Sequence, residues 1–262
     1  MAKSVNWTRE EILVALNVYC KIPFQASRAT NPIVMEYANL LGRTPSALNY
    51  KIGNLGSLDS NLKSQGIVGL AHISHLDEIV WNEFIENPDK IIFESELIIA
   101  KLKQQTIEQV ADIDISTLPQ GADVLSIVKT RINQSFFRTA VLTSYENQCC
   151  ISGVSNPELL EACHILSWKD NIKNRTNPKN GLCMNVFFHK AFDKFLFTVT
   201  PDYKIEIADK MVDNVKSDSF RQYLASINGQ HIILPQKFLP DVIFLEQHYQ
   251  AYKSALWTLK KN

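Results

Sequence analysis

The apolar positions of the front half recur at helical spacing. Thr8 and Glu11 form a capping box, with Ile12, Leu13, Leu16 and Tyr19 following on one face, so a first helix is expected up to Pro23-Phe24. Asn31-Pro32 opens a second helix carrying Ile33, Tyr37, Leu40 and Leu41 and stopping at Gly42; Thr44-Pro45 opens a third, reaching about Leu55. Trp81, Phe84 and the region 93–97 supply the remaining packing of this helical part. A polar connector with Asp112, Asp114, Pro119 and Gly121 marks a boundary, and beyond it the pattern changes. Residues 159–166 read as a strand, 180–185 as a second strand after a polar loop, and 186–195 as a helix packed through Phe187, Phe188, Ala191 and Phe195. Residues 195–200 and 203–207 read as a hairpin about Pro201-Asp202, and 242–259 as a closing helix whose His248 and Trp257 are assigned to packing. The fold class expected is α+β: a helical domain over 1–103, a linker over 104–127, and a second domain over 128–262 built around the strand–strand–helix unit.

Charge sharpens this division. The chain of 262 residues balances 27 Lys and Arg against 27 Asp and Glu, which excludes a uniformly basic coat. Residues 128–262 nevertheless hold 17 basic against 12 acidic residues, and 104–127 hold four acids and no base, so an acidic connector precedes a mildly basic half. The five cysteines are odd in number and unpatterned, which suits reduced thiols better than a disulfide framework. With no signal peptide or apolar run of membrane-spanning length in view, a cytoplasmic location without membrane contact is expected.

The strand–strand–helix unit carries the chemistry. It sets His164, near the end of the first strand, across from His189 in the first helical turns, with room for a divalent ion and a phosphate between them. Phosphodiester hydrolysis needs a base for water and a cation to absorb charge on phosphate, and an imidazole with an ordinary pKa of about 6.5 can serve as that base. His164 is therefore the candidate base and His189 a candidate ligand. Asp193 lies four residues on, on the same helical face, and completes a two-point chelate. Mixed imidazole and carboxylate donors admit magnesium or manganese, which are favoured, and also zinc or nickel. Asn180 sits where its amide can fix the intervening loop or the His164 ring. The pair Cys149-Cys150 lacks the spacing of a zinc ribbon and reads as buried thiols beside a Ser-Gly turn.

These blocks, Cys149 to Gly153, Ala162-Cys163-His164-Ile165, Asn180-Gly181-Leu182 and His189 to Asp193, resemble the HNH endonuclease family from about Phe136 to Tyr203. The resemblance implies a ββα-metal core with His164 as base, Asn180 as orienting residue and His189 as ligand; Asp193 falls where nuclease-type colicins carry another ligand. Cys163 departs from the pattern, standing where many relatives place Asp or His, and is either a soft ligand or a bystander. The front segment, with Trp7-Thr8, Glu10-Glu11, Pro23-Phe24 and Arg43-Thr44-Pro45-Ser46, resembles the domain that accompanies this module in restriction-type endonucleases.

The inter-strand loop adds Lys169, Lys173, Arg175 and Lys179 against Asp170 alone, a basic rim suited to phosphate oxygens. Trp168 reads either as a stacking residue at the cleft or as an anchor of the hairpin. The second and third helices, joined through Gly42, have the grammar of a helix-turn-helix, which makes Arg43, Asn49 and Lys51 candidate DNA contacts. An equal reading is a plain helical bundle that packs on the nuclease part or on a second subunit. His72 and His75 are assigned to the helical domain rather than to a metal. The expected function is metal-dependent cleavage of duplex DNA by a homodimer in restriction or phage defence, with no small-molecule substrate. Two alternatives stand beside it: a DNA-binding regulator on an inactive scaffold, and an RNA-directed or signal-gated nuclease.

Overall fold

A computed structural model describes residues 6–64, 66, 73–110 and 123–259. The chain divides into two compact units, one of residues 1–144 with 236–238, the other of 145–235 with 239–262. The division falls at the end of a helix, so 128–144, expected in the second domain, belong to the first unit. Most of the acidic connector, with Asp112, Asp114, Pro119 and Gly121, lies outside the described residues, as does His72.

The first unit is helical: α1 (Arg9–Lys21), α2 (Pro32–Leu41), α3 (Pro45–Gly56), α4 (Ser60–Ser64), α5 (His75–Glu86), α6 (Pro88–Leu102), α7 (Ile107–Val110) and α8 (Val124–Ser144). The Thr8/Glu11 capping box forms at α1, with Glu11 N–H on Thr8 Oγ1 at 3.2 Å and Thr8 N–H on Glu11 Oε2 at 2.9 Å. Every residue of α1 from Glu11 to Cys20 is buried, so α1 is the central helix rather than an amphipathic surface one. Its polar Asn17 is held by Ser95 Oγ at 2.9 Å and Glu96 Oε1 at 2.8 Å, both on α6. Gly42 ends α2 at φ +64°, in the left-handed region that a glycine enters without a Cβ penalty.

Residues 236–238 are part of this core. Phe238 is 1% exposed, stacks on Trp81 at 6.3 Å and 12°, and meets Tyr19 edge-on at 5.7 Å. Lys237, fully buried, donates from Nζ to the carbonyls of Tyr19 at 2.6 Å and Ile22 at 2.7 Å, where α1 leaves its last acceptors unpaired. Burial pulls the Lys237 ammonium down to about 8. Asp59 joins the segment to Tyr19 by accepting the Phe238 N–H and the Tyr19 hydroxyl, each at 3.0 Å.

Among its described residues the second unit holds two hairpins and four α-helices. Strands β1 (Leu160–His164) and β2 (Gly181–Asn185) pair antiparallel, with Cys163 opposite Leu182 and His164 opposite Gly181. Helix α9 (Val186–Asp193) follows β2 without a break; β3 (Phe197–Val199) and β4 (Ile205–Ile207) form the second hairpin, as expected around Pro201-Asp202. Helices α10 (Asp209–Asp213), α11 (Asp218–Ile227) and α12 (Val242–Leu259) complete the unit. The packing face of α9 is Phe188, Ala191 and Phe192, with Phe188 and Phe192 each 5.6 Å from the Phe197 ring of β3. Phe187, expected inside, is 47% exposed and meets Phe220 of α11 edge-on at 5.4 Å. No helix of the described residues is long and apolar enough to cross a membrane.

Candidate active site

Residues 160–193 form the ββα unit, and β1 and α9 present the expected histidines at one cleft of about 430 Å³, lined by His164, Trp168, His189 and Asp193 among others. A tight turn fixes the root of the unit. Cys149 N–H bonds to Val154 O at 2.8 Å, Gly153 N–H to Cys149 O at 3.0 Å, and Gly153 takes φ +72°. Cys150 N–H then reaches Cys183 O on β2 at 2.7 Å. The two cysteines are buried, free thiols, and their backbone ties the turn to the strand.

His164 ends β1 with its ring mostly covered. Its Nε2 lies 2.8 Å from the carbonyl of Arg175, which can only accept, so Nε2 carries the proton and the neutral ring presents its lone pair at Nδ1. Burial holds the His164 pKa below its ordinary value, with the neighbouring His189 acting in the same sense against the Arg175 bond and Asp193. Trp168 meets the ring edge-on at 5.5 Å, and the Arg175 guanidinium lies over the Trp168 face at 4.9 Å. Trp168 thus braces the candidate base.

Asn180 is fully buried and acts on the loop rather than on the ring. Its Oδ1 accepts the Leu166 N–H at 2.8 Å, and its Nδ2 donates to Leu166 O at 3.1 Å and Asn174 O at 3.2 Å. With Ile165 N–H on Asn180 O at 2.9 Å, the amide continues the β1–β2 ladder where β2 has not yet begun. That closes the loop carrying Arg175, and hence the carbonyl that orients His164.

On α9, His189 and Asp193 lie one turn apart with Nε2 and Oδ2 at 3.7 Å. His189 Nδ1 donates to Glu161 Oε2 at 2.5 Å, leaving the Nε2 lone pair towards Asp193. Cys163 is the third member: donor atoms of Cys163, His189 and Asp193 lie within 4.8 Å of one another. One sulfur, one imidazole nitrogen and one carboxylate oxygen so spaced fit a divalent ion. Asn185 aims the helix, its Oδ1 capping Phe188 N–H at 2.9 Å and its Nδ2 donating to Ser152 Oγ at 3.0 Å.

Sequence reasoning missed Glu161 and Asn185. Glu161 was legible from strand alternation, since it lies two residues before Cys163 on the same face of β1. The loop between β1 and β2 places Lys169 and Lys173 in solvent and Arg175 and Lys179 half-buried.

Of the front-unit candidates, Arg43 and Lys51 are buried and paired rather than open to solvent. Arg43 is 8% exposed and grips Glu11 through Nε at 3.1 Å and Nη2 at 2.7 Å; Lys51 is 5% exposed and bonds both oxygens of Asp77 at 2.7 and 2.9 Å. Both cations face the ring of Trp7, at 4.8 and 5.1 Å, so their charges hold α1, α3 and α5 together. Asn49 accepts from Ser27 Oγ at 2.9 Å. His75 is exposed, 3.6 Å from Glu78.

No curated protein and no solved structure matches the chain. Residues 149–200, which run from the Cys149 turn through both histidines to the end of β3, match the model of a family described as HNH endonuclease. The cleft between β1 and α9 thus lies within the segment that is similar to the HNH endonuclease family.

Proposed function

We propose that the protein is a metal-dependent endonuclease that hydrolyses phosphodiester bonds in duplex DNA, in a restriction or phage-defence role. The observation that carries this reading is the meeting, at one cleft, of a carbonyl-anchored His164 with the Cys163, His189 and Asp193 donor set. His164 takes the proton of the attacking water at Nδ1, because Nε2 is engaged by the Arg175 carbonyl. Asn180 keeps that carbonyl in place by closing the loop. His189 and Asp193, with Cys163 at the third corner, would hold the cation. A bound divalent ion supplies neutralisation of the charge that builds on the phosphate and the leaving oxygen. Magnesium or manganese suits the carboxylate; zinc or nickel would draw more on the thiol. Lys169, Lys173, Arg175 and Lys179 border the cleft as sequence-independent phosphate contacts. Two such centres related by two-fold symmetry cut both strands, so a homodimer is proposed; with Arg43 and Lys51 internal, dimerisation is the role favoured for the helical unit.

The test is incubation of purified protein with duplex DNA, single-stranded DNA and RNA, each with magnesium, with manganese and with EDTA. Duplex DNA is expected to be cut with either metal and left intact with EDTA. Cutting of RNA alone would move the substrate class, and failure to cut any of the three would defeat the reading.

Glu161 gives a second expected outcome. Glu161→Ala removes the partner that fixes the His189 tautomer, and outer partners of ligating histidines are worth about 10- to 100-fold in metal affinity. The manganese concentration for half-maximal cleavage should rise by about that factor. An unchanged titration midpoint would show that Glu161 does not orient His189.

A further inference from the structure

A third histidine lines the same cleft. His248 comes from α12, outside the segment matched to the HNH family, and is 7% exposed. Its ring lies flat on Phe192 at 3.8 Å and 5°, with Phe195 tilted against it at 5.2 Å, so its plane is fixed. Nδ1 is 2.9 Å from the hydroxyl of Thr198, which is 0% exposed on β3. Among the described residues the other acceptor near that hydroxyl is the Val199 carbonyl at 3.5 Å, the limit of a hydrogen bond, so the hydroxyl donates to the closer Nδ1. Nε2 then carries the ring proton. It has no hydrogen-bond partner among the described residues, on a side chain otherwise enclosed by apolar rings. Nε2 is not sealed from solvent, and packing alone would be served as well by phenylalanine.

We infer that His248 is a substrate-binding residue of the nuclease cleft, its Nε2–H holding a non-bridging oxygen of the bound phosphodiester. The inference rests on the nuclease reading above. Burial lowers the His248 pKa to about 4, so the ring contributes a neutral donor and leaves the proton transfer to His164.

The test compares duplex DNA cleavage by wild type, His248→Phe and His248→Gln, with the melting temperature of each. His248→Phe keeps the flat contact on Phe192 and loses the donor; KM should rise about 10- to 100-fold, the worth of a hydrogen bond to a charged group, with kcat close to wild type. His248→Gln restores an N–H and should recover much of the loss. Should His248→Phe fail to fold, Thr198→Val keeps the ring but removes the hydroxyl that sets its tautomer, and KM should rise in the same direction. Wild-type KM in a folded His248→Phe, or a fall in kcat at unchanged KM, overturns the inference. Wild type that cuts no DNA overturns the nuclease reading and the inference with it; wild type that cuts beside an unchanged variant overturns the inference alone.

Discussion

Replacing His164 by alanine is expected to slow DNA cleavage by roughly 10²- to 10⁴-fold, the usual worth of a positioned general base, while DNA binding stays near wild type. The split follows from where the ring sits. Its Nε2 is engaged by the Arg175 carbonyl and its edge by Trp168, so removing it leaves the Lys169 and Lys173 rim and the β1–β2 ladder intact. Burial also sets the sign of the pH dependence. The folded-state pKa lies below 6.5, so the base-competent neutral ring persists to lower pH than a free imidazole would, and the acid limb of kcat/KM should fall below pH 6.5. Steady-state cleavage across pH 5 to 8 measures both effects. A variant that keeps a tenth or more of the wild-type rate would remove His164 from the base role.

The largest effect on stability is expected from Phe238→Ala. Truncating a buried phenylalanine costs about 3–5 kcal/mol, and Phe238 is 1% exposed between Tyr19, Trp81 and Phe84, whose rings cannot all close on the space it leaves. At roughly 2–4 °C per kcal/mol for a chain of this size, the melting temperature should drop by about 10 °C or more. Thermal unfolding followed by circular dichroism reads it directly. A change of only a degree or two would mean that 236–238 contribute little to the helical core.

The ββα unit was legible because its chemistry sits in local sequence. Strand alternation, the Asn180-Gly181 turn signal and the four-residue step from His189 to Asp193 each constrain neighbours within one element. The orientation of His164 was not legible, because it depends on a carbonyl eleven residues away whose position is set by the Asn180 clamp. The burial of Arg43 and Lys51 was hidden for a related reason. Basic residues on a helix after a turn read as solvent-facing, yet Glu11 and Asp77, brought in from other helices, neutralise them beneath Trp7. His248 packs as expected, but its place at the cleft was not legible because nothing near it in sequence shows that β3 and α9 meet it there. The helix 124–144 escaped the domain assignment because its buried positions, including Phe136 and Ala140, answer to the first unit's core.

The place of Gln236, Lys237 and Phe238 bears on how the chain is made. During synthesis a first domain ordinarily completes before the next one emerges. Here the helical unit awaits Phe238 for its aromatic cluster and Lys237 for the open carbonyls of α1, and both follow the whole ββα segment along the chain. The ββα segment therefore emerges while the helical unit is still unfinished, and its own unit closes last, with α12.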